Sequence, residues 1–99
     1  MKVFISGPIT NVPNYKENFA RAEEYLKSQG HVVLNPTVYP AGMTLQDYMS
    51  LGLAMINCVD AILLLDGWHL SRGARIEYEY AAYCSKEIWQ EAEYCNYEH

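Results

Sequence analysis

The sequence predicts an α/β domain in which a parallel sheet of four to five strands carries helices on both faces. Three observations predict it. Strand-like and helix-like patterns alternate from residue 2 to residue 89, the order that builds parallel sheets. The run Ala61-Ile62-Leu63-Leu64-Leu65 is continuously apolar between Asp60 and Asp66, as expected of a central strand covered on both sides. A length of 99 residues provides for one core and not two, so residues 1–99 read as a single domain.

Each element has its own signal. Lys2 to Ser6 is a β-branched and aromatic run stopped by Gly7-Pro8, a first buried strand ending in a sharp turn. Asn14 with Glu17 three positions on is an N-cap signature, and Tyr15, Phe19, Ala22 and Leu26 then recur on one helical face until Gly30 stops the helix. His31 to Asn35 is a second strand closed by Pro36, followed by a loop through Pro40 and Gly42. Thr44 with Asp47 opens a second helix, in which Leu45, Tyr48, Met49, Leu53 and Ile56 keep a helical period as far as Asn57 or Cys58. After the central strand, Ser71 opens a third helix to about Cys84, and Lys86 to Trp89 reads as a fourth strand. Residues from about 90 to 99 are acidic and polar enough for a frayed helix or a loose tail.

Composition narrows the function. Seven Lys plus Arg against twelve Asp plus Glu give a net charge of -5, which argues against a nucleic-acid polymer or an anionic membrane surface as partner. Cys58, Cys84 and Cys95 form neither a disulfide scaffold nor a metal-ligand spacing, so a cytoplasmic setting and no metal are expected. His31 and His69 have no ligand partner at useful spacing and are expected to be solvated, and His99 is terminal. No apolar run approaches the roughly 20 residues of a membrane span.

In parallel α/β sheets, ligands bind beyond the carboxyl ends of the strands, which directs attention to residues 7–14, 35–43 and 66–73. In the first of these, Ser6-Gly7-Pro8-Ile9 joins a strand to a helix, where glycine lets backbone approach a ligand and free N–H groups hold an anion; Gly7-Pro8 also makes a turn without any ligand. Neither G-x-G-x-x-G nor G-x-x-x-x-G-K-[ST] is present. In the third, Ser71 as N-cap leaves the N–H groups of Gly73 and Ala74 and the positive end of the helix dipole near the cleft. Glu77 stands three and four residues from Ala74 and Ala81, on the same broad face, where desolvation and neighbouring donors tune a carboxylate; the alternative is a solvated helix glutamate. Trp68 suits base stacking or plain packing, and Asp66 suits a ribose hydroxyl or an Asp-Gly turn.

The segment Ser71-Arg72-Gly73-Ala74-Arg75-Ile76-Glu77 resembles the S-x-G-x-x-x-E segment of the nucleoside 2-deoxyribosyltransferase superfamily, and Val3-Phe4-Ile5-Ser6-Gly7-Pro8-Ile9 resembles its first strand and substrate loop. The likeness covers most of residues 2–84 and is strongest to a group of short bacterial and phage proteins in that superfamily. It implies a flavodoxin-like, Rossmann-like fold with Glu77 as nucleophile toward the anomeric carbon of a deoxyribose. Ser71 in place of an acid resembles the 2′-deoxynucleoside 5′-phosphate N-hydrolase branch, with Ser71, Gly73 and the helix N-terminus holding phosphate and Arg72 or Arg75 adding charge. The superfamily's second acid would align near Gly52 and is missing, which leaves Asp47 as the nearest substitute, although the Thr44–Asp47 capping pattern accounts for Asp47 without catalysis.

The expectation is therefore an N-glycosidase or deoxyribosyltransferase for a small nucleotide or nucleoside. It has Glu77 and Asp47 as catalytic candidates and Ser6, Gly7, Pro8, Ile9, Asp66, Trp68, Ser71, Arg72 and Gly73 as binding candidates. No cofactor is implied. The alternative is a non-catalytic nucleotide-binding or sensing module. Tyr78, Tyr80 and Tyr83 spread over more than one face of the third helix, which together with the superfamily's habit suggests a homodimer or larger homo-oligomer.

Overall fold

The computed structural model describes residues 1–97; Glu98 and the terminal His99 lie outside the described residues. Four strands, β1 (Lys2–Ser6), β2 (Val32–Leu34), β3 (Ala61–Leu64) and β4 (Glu87–Gln90), form one sheet in the order β2-β1-β3-β4. Every pairing is parallel, with Phe4 opposite both Leu34 and Ile62, and Ile62 opposite Ile88. The order doubles back at β1, between β2 and β3, and reproduces the first four positions of the flavodoxin-like 2-1-3-4-5 sheet.

Strand alternation divides the core. Val3, Ile5, Ala61, Leu63 and Leu65 point to the face covered by α1 (Tyr15–Ser28), where they meet Phe19, Ala22 and Leu26. Phe4, Ile62 and Leu64 point to the opposite face and meet Ile56 of α2 (Leu45–Cys58) and Ala81 of α3 (Arg72–Tyr83). Ser6, two residues after Phe4, shares this second face.

Helix ends form by identifiable chemistry. Thr44 and Asp47 make the expected capping box on α2. At the end of α1, Gly30 has φ +88°, its N–H bonds to the carbonyl of Lys27, and that of His31 bonds to Leu26, a Schellman motif. The start of α1 differs from expectation: Asn14 occupies the cap position, yet its side chain donates to Asn18 Oδ1 instead of capping. Strand β2 is shorter than the sequence suggests, because Asn35 leaves the ladder to accept from Thr37 N and open a turn of 3-10 helix at Pro36–Val38.

The polar C-terminal stretch conceals a docked segment. A one-turn helix, α4 (Glu91–Tyr94), follows β4 directly, and the Tyr94 ring stacks on Trp89 at 4.2 Å. Its hydroxyl meets the His31 ring at 2.6 Å, so His31, bonded also to the Met1 amino group, is part of a packed cluster and not a solvated side chain. His69 is exposed. Of the tyrosines on α3, Tyr78 packs against Trp68 and Tyr80 donates to Asn57 Oδ1, which leaves Tyr83 as the exposed member of the three. Among the described residues, no helix is long and apolar enough to cross a membrane.

Candidate active site

Three elements converge at the carboxyl edge of β1. Ser6, its last residue, is buried and faces α2 and α3. On α3, Glu77 lies between the buried Ala74 and Ala81, so helical spacing turns it inward. On α2, the buried pair Gly52 and Ile56 faces the same space. The result is a hydrogen bond of 2.6 Å from Ser6 Oγ to Glu77 Oε1. The other carboxylate oxygen, Oε2, lies against Gly52, where a Cβ would come within 2.5 Å of it. Gly52, where the resemblance would place a second acid, has a structural part of its own. Its bare backbone makes room for the Glu77 carboxylate.

Burial raises the Glu77 pKa to about 7, against the Ser6 hydrogen bond, which lowers it. Among the described residues no ion pair compensates this carboxylate. Ser6 favours the ionised form, so Ser6→Ala should move the acid limb of any activity that needs ionised Glu77 upward by roughly one pH unit, since a hydrogen bond to a charged group contributes about 1.5–3 kcal/mol. A pH–rate profile of the variant checks this.

Tyr39, in the loop after β2, is a residue that sequence reasoning missed. Its hydroxyl reaches Met55 Sδ at 3.0 Å, one helical turn along α2 from Gly52, and its ring stacks on Tyr48. Burial, and next the negative charge of Glu77, push the Tyr39 pKa up, which places the phenol within electrostatic reach of the carboxylate. The signal available beforehand was its position, since the loop 35–43 lies at the ligand edge.

The N-terminus of α3 opens beside this group. Ser71 Oγ accepts from Ala74 N at 3.2 Å, and the Ser71 carbonyl accepts from Arg75 N. Among the described residues the amides of Arg72 and Gly73 have no such partner, as expected of a first helical turn. Arg72 and Arg75 are exposed, and neither forms a salt bridge among the described residues. Ser71→Ala removes the cap and should cost about 1 kcal/mol in denaturant unfolding.

The remaining candidates separate. Gly7 does make a close approach, but to protein: a Cβ there would lie 2.7 Å from Leu65 Cβ. Gly67 has φ +85°, and a Cβ on it would touch Pro8 Cγ at 3.5 Å, so the loops after β1 and β3 abut. Ile9 is partly exposed. Trp68 is packed against the second core with its ring 5.0 Å from Tyr78. Asp66 is exposed at the end of β3, and its N–H donates to Glu91 Oε1. Asp47 is exposed with Oδ2 bonded to Thr44 N, so the structure engages it in the capping box and does not bring it into hydrogen-bonding contact with Glu77. Among the described residues no group of three or more His, Cys, Asp or Glu side chains is arranged to hold a metal ion.

The chain is thus an α/β domain whose four-stranded flavodoxin-like sheet carries a desolvated carboxylate and a helix N-terminus at its carboxyl edge. The chain belongs to the family described as Domain of unknown function (DUF4406), whose model matches residues 1–90. Its fold is similar to that of a 2-desoxiribosyltransferase from Leishmania mexicana, with a TM-score of 0.72, 22% identity, and coverage of 90% of this chain and 62% of that one. It is likewise similar to the Clostridium botulinum CMP N-glycosidase BcmB, with a TM-score of 0.64, 22% identity, and coverage of 91% of this chain and 70% of that one. The chain thus spans under two thirds of the length of the first of these structures. No curated protein matches it in sequence.

Proposed function

We propose that the protein cleaves or transfers the N-glycosidic bond of a nucleoside 5′-monophosphate or nucleoside, with Glu77 as nucleophile. The observation that carries this reading is the Ser6–Glu77 hydrogen bond, which holds one carboxylate oxygen at 2.6 Å on a strand end and fixes the orientation of the other. In the proposed reaction a Glu77 oxygen attacks the anomeric carbon and the C–N bond breaks. Its electron pair leaves with the base, which takes up a proton, and water or a second base then resolves the glycosyl ester. The phosphate would sit at the start of α3, on the Arg72 and Gly73 amides with Ser71 beside them, and Arg72 and Arg75 would supply charge. Asp66, Trp68 and the Ser6–Ile9 loop would border the sugar and base. The fold shared with a deoxyribosyltransferase and a CMP N-glycosidase supports the class of chemistry.

A second reading, nucleotide binding without turnover, is favoured by Gly52, which offers no acid to the leaving base, and by Asp47, whose carboxylate is engaged at Thr44. Chromatography of ribo- and deoxyribonucleoside 5′-monophosphates after incubation separates the two. Release of free base supports the first reading, and calorimetric binding with intact nucleotide supports the second. Neither release nor binding across the panel would sink both. A homo-oligomer belongs to the same proposal, supported by the exposed Leu45, Leu70 and Tyr83, and a cytoplasmic setting is consistent with the three free cysteines.

A further inference from the structure

Glu91 is a buried carboxylate, 7% exposed, on the opposite side of β3 from Ser6, and the proposed chemistry has no use for it. Its partners come from three parts of the chain. Oε1 accepts the N–H of Asp66 at 2.9 Å. Oε2 accepts the phenol of Tyr97 at 2.5 Å and lies 3.9 Å from Arg21 of α1, whose guanidinium stands 4.7 Å from the Tyr97 ring centroid.

The location explains the first bond. The β3–β4 ladder ends at Leu64 opposite Gln90, because the chain turns into α4 at Glu91. The Asp66 N–H therefore has no strand to pair with on that side, and the Glu91 side chain supplies the acceptor that a longer β4 would have offered. On the other side, Leu65 N–H bonds to the Ser6 carbonyl. The segment 65–67 is held between β1 and Glu91, and the site's first loop rests on it, Gly7 against Leu65 and Pro8 against Gly67.

We propose that Glu91 is a positioning residue, the centre of a C-terminal clamp in which residues 91–97 set the end of β3 and, through it, the Gly7–Pro8 loop and the Ser6–Glu77 pair. Glu91 and Tyr97 lie beyond the 1–90 match to the family model, whereas their partners Asp66 and Arg21 lie within it. The clamp's effect on ligand binding rests on the function proposed above, whereas its effect on the Asp66 amide does not.

Amide hydrogen exchange by NMR on the whole protein, with and without CMP or 2′-deoxycytidine 5′-monophosphate, tests it. Glu91→Ala should speed exchange at Asp66 about tenfold or more relative to Phe4 and Ile62, the equivalent of one charge-assisted hydrogen bond, and weaken nucleotide binding by roughly the same factor. Glu91→Gln keeps a neutral acceptor for the Asp66 N–H but gives up the charge and the acceptor for Tyr97, so it should recover part of both effects. Tyr97→Phe, which removes one supporting bond and leaves the Asp66 contact, should give an intermediate effect and serves if Glu91→Ala does not fold. Unchanged Asp66 exchange in Glu91→Ala and Tyr97→Phe, or exchange raised equally at Asp66, Phe4 and Ile62, would overturn the clamp. A wild type that binds neither nucleotide would count against the proposed function and leave the exchange result to decide the clamp.

Discussion

Glu77→Gln is expected to lower base release by roughly 10³-fold or more, because a carboxamide cannot form the glycosyl ester. The same change should stabilise the fold at alkaline pH. The Glu77 pKa is raised to about 7 from the ordinary glutamate value of 4.5, so between those values the folded protein binds more protons than the unfolded chain. Stability contributed by this group is therefore greatest below pH 4.5 and falls as pH rises through 7, where the folded protein must bury a charge. Glutamine removes that cost. The gain should be about 1–3 kcal/mol at pH 8, at 1.36 kcal/mol per pKa unit discounted for partial solvation, and should nearly vanish at pH 4.5. Denaturant unfolding of both proteins at the two pH values checks it. An equal difference at both would remove the desolvated carboxylate from the account.

Gly52→Ala is expected to have the second largest effect, and to separate activity from stability. The added methyl would stand 2.5 Å from Glu77 Oε2, the far end of a flexible side chain, so the carboxylate yields while the backbone stays. Displacement of about 1 Å at a reacting group costs on the order of 10²-fold in rate. The fold loses little, because alanine in a helix interior gains up to about 1 kcal/mol over glycine, which offsets the repacking. Base-release kinetics alongside a thermal melt would show a strong loss of rate with a melting temperature close to that of the parent. A variant with full activity would mean that Glu77 Oε2 does not need the space that Gly52 leaves.

The sheet was readable because its signals are local or periodic. The apolar run at 61–65, the recurrence of Phe19, Ala22 and Leu26, and the Thr44–Asp47 capping pattern each dictate one element, and parallel alternation dictates how they stack. The site was partly readable for the same reason: the spacing of Ala74, Glu77 and Ala81 turns the glutamate toward the sheet. What escaped depends on contacts far apart in sequence. Ser6 reads as loop-edge cradle, and its bond to a residue on α3 exists only once β1 and α3 pack on one face. Gly52 reads as a missing acid, and its role against Glu77 Oε2 is visible only in three dimensions. Glu91 and Tyr97, in a stretch whose composition suggests a loose tail, order that stretch through Asp66 and Arg21, which no local pattern encodes.

In the proposed reaction Glu77 becomes covalently attached to the sugar. Rapid acid quench of the protein with a 2′-deoxynucleoside 5′-monophosphate, followed by intact-mass and peptide mass spectrometry, tests it most directly. A deoxyribosyl phosphate adduct is expected on the peptide containing Glu77, formed along with free base and absent in Glu77→Gln. Base release that persists in Glu77→Gln, or an adduct carried by any other residue, would contradict it.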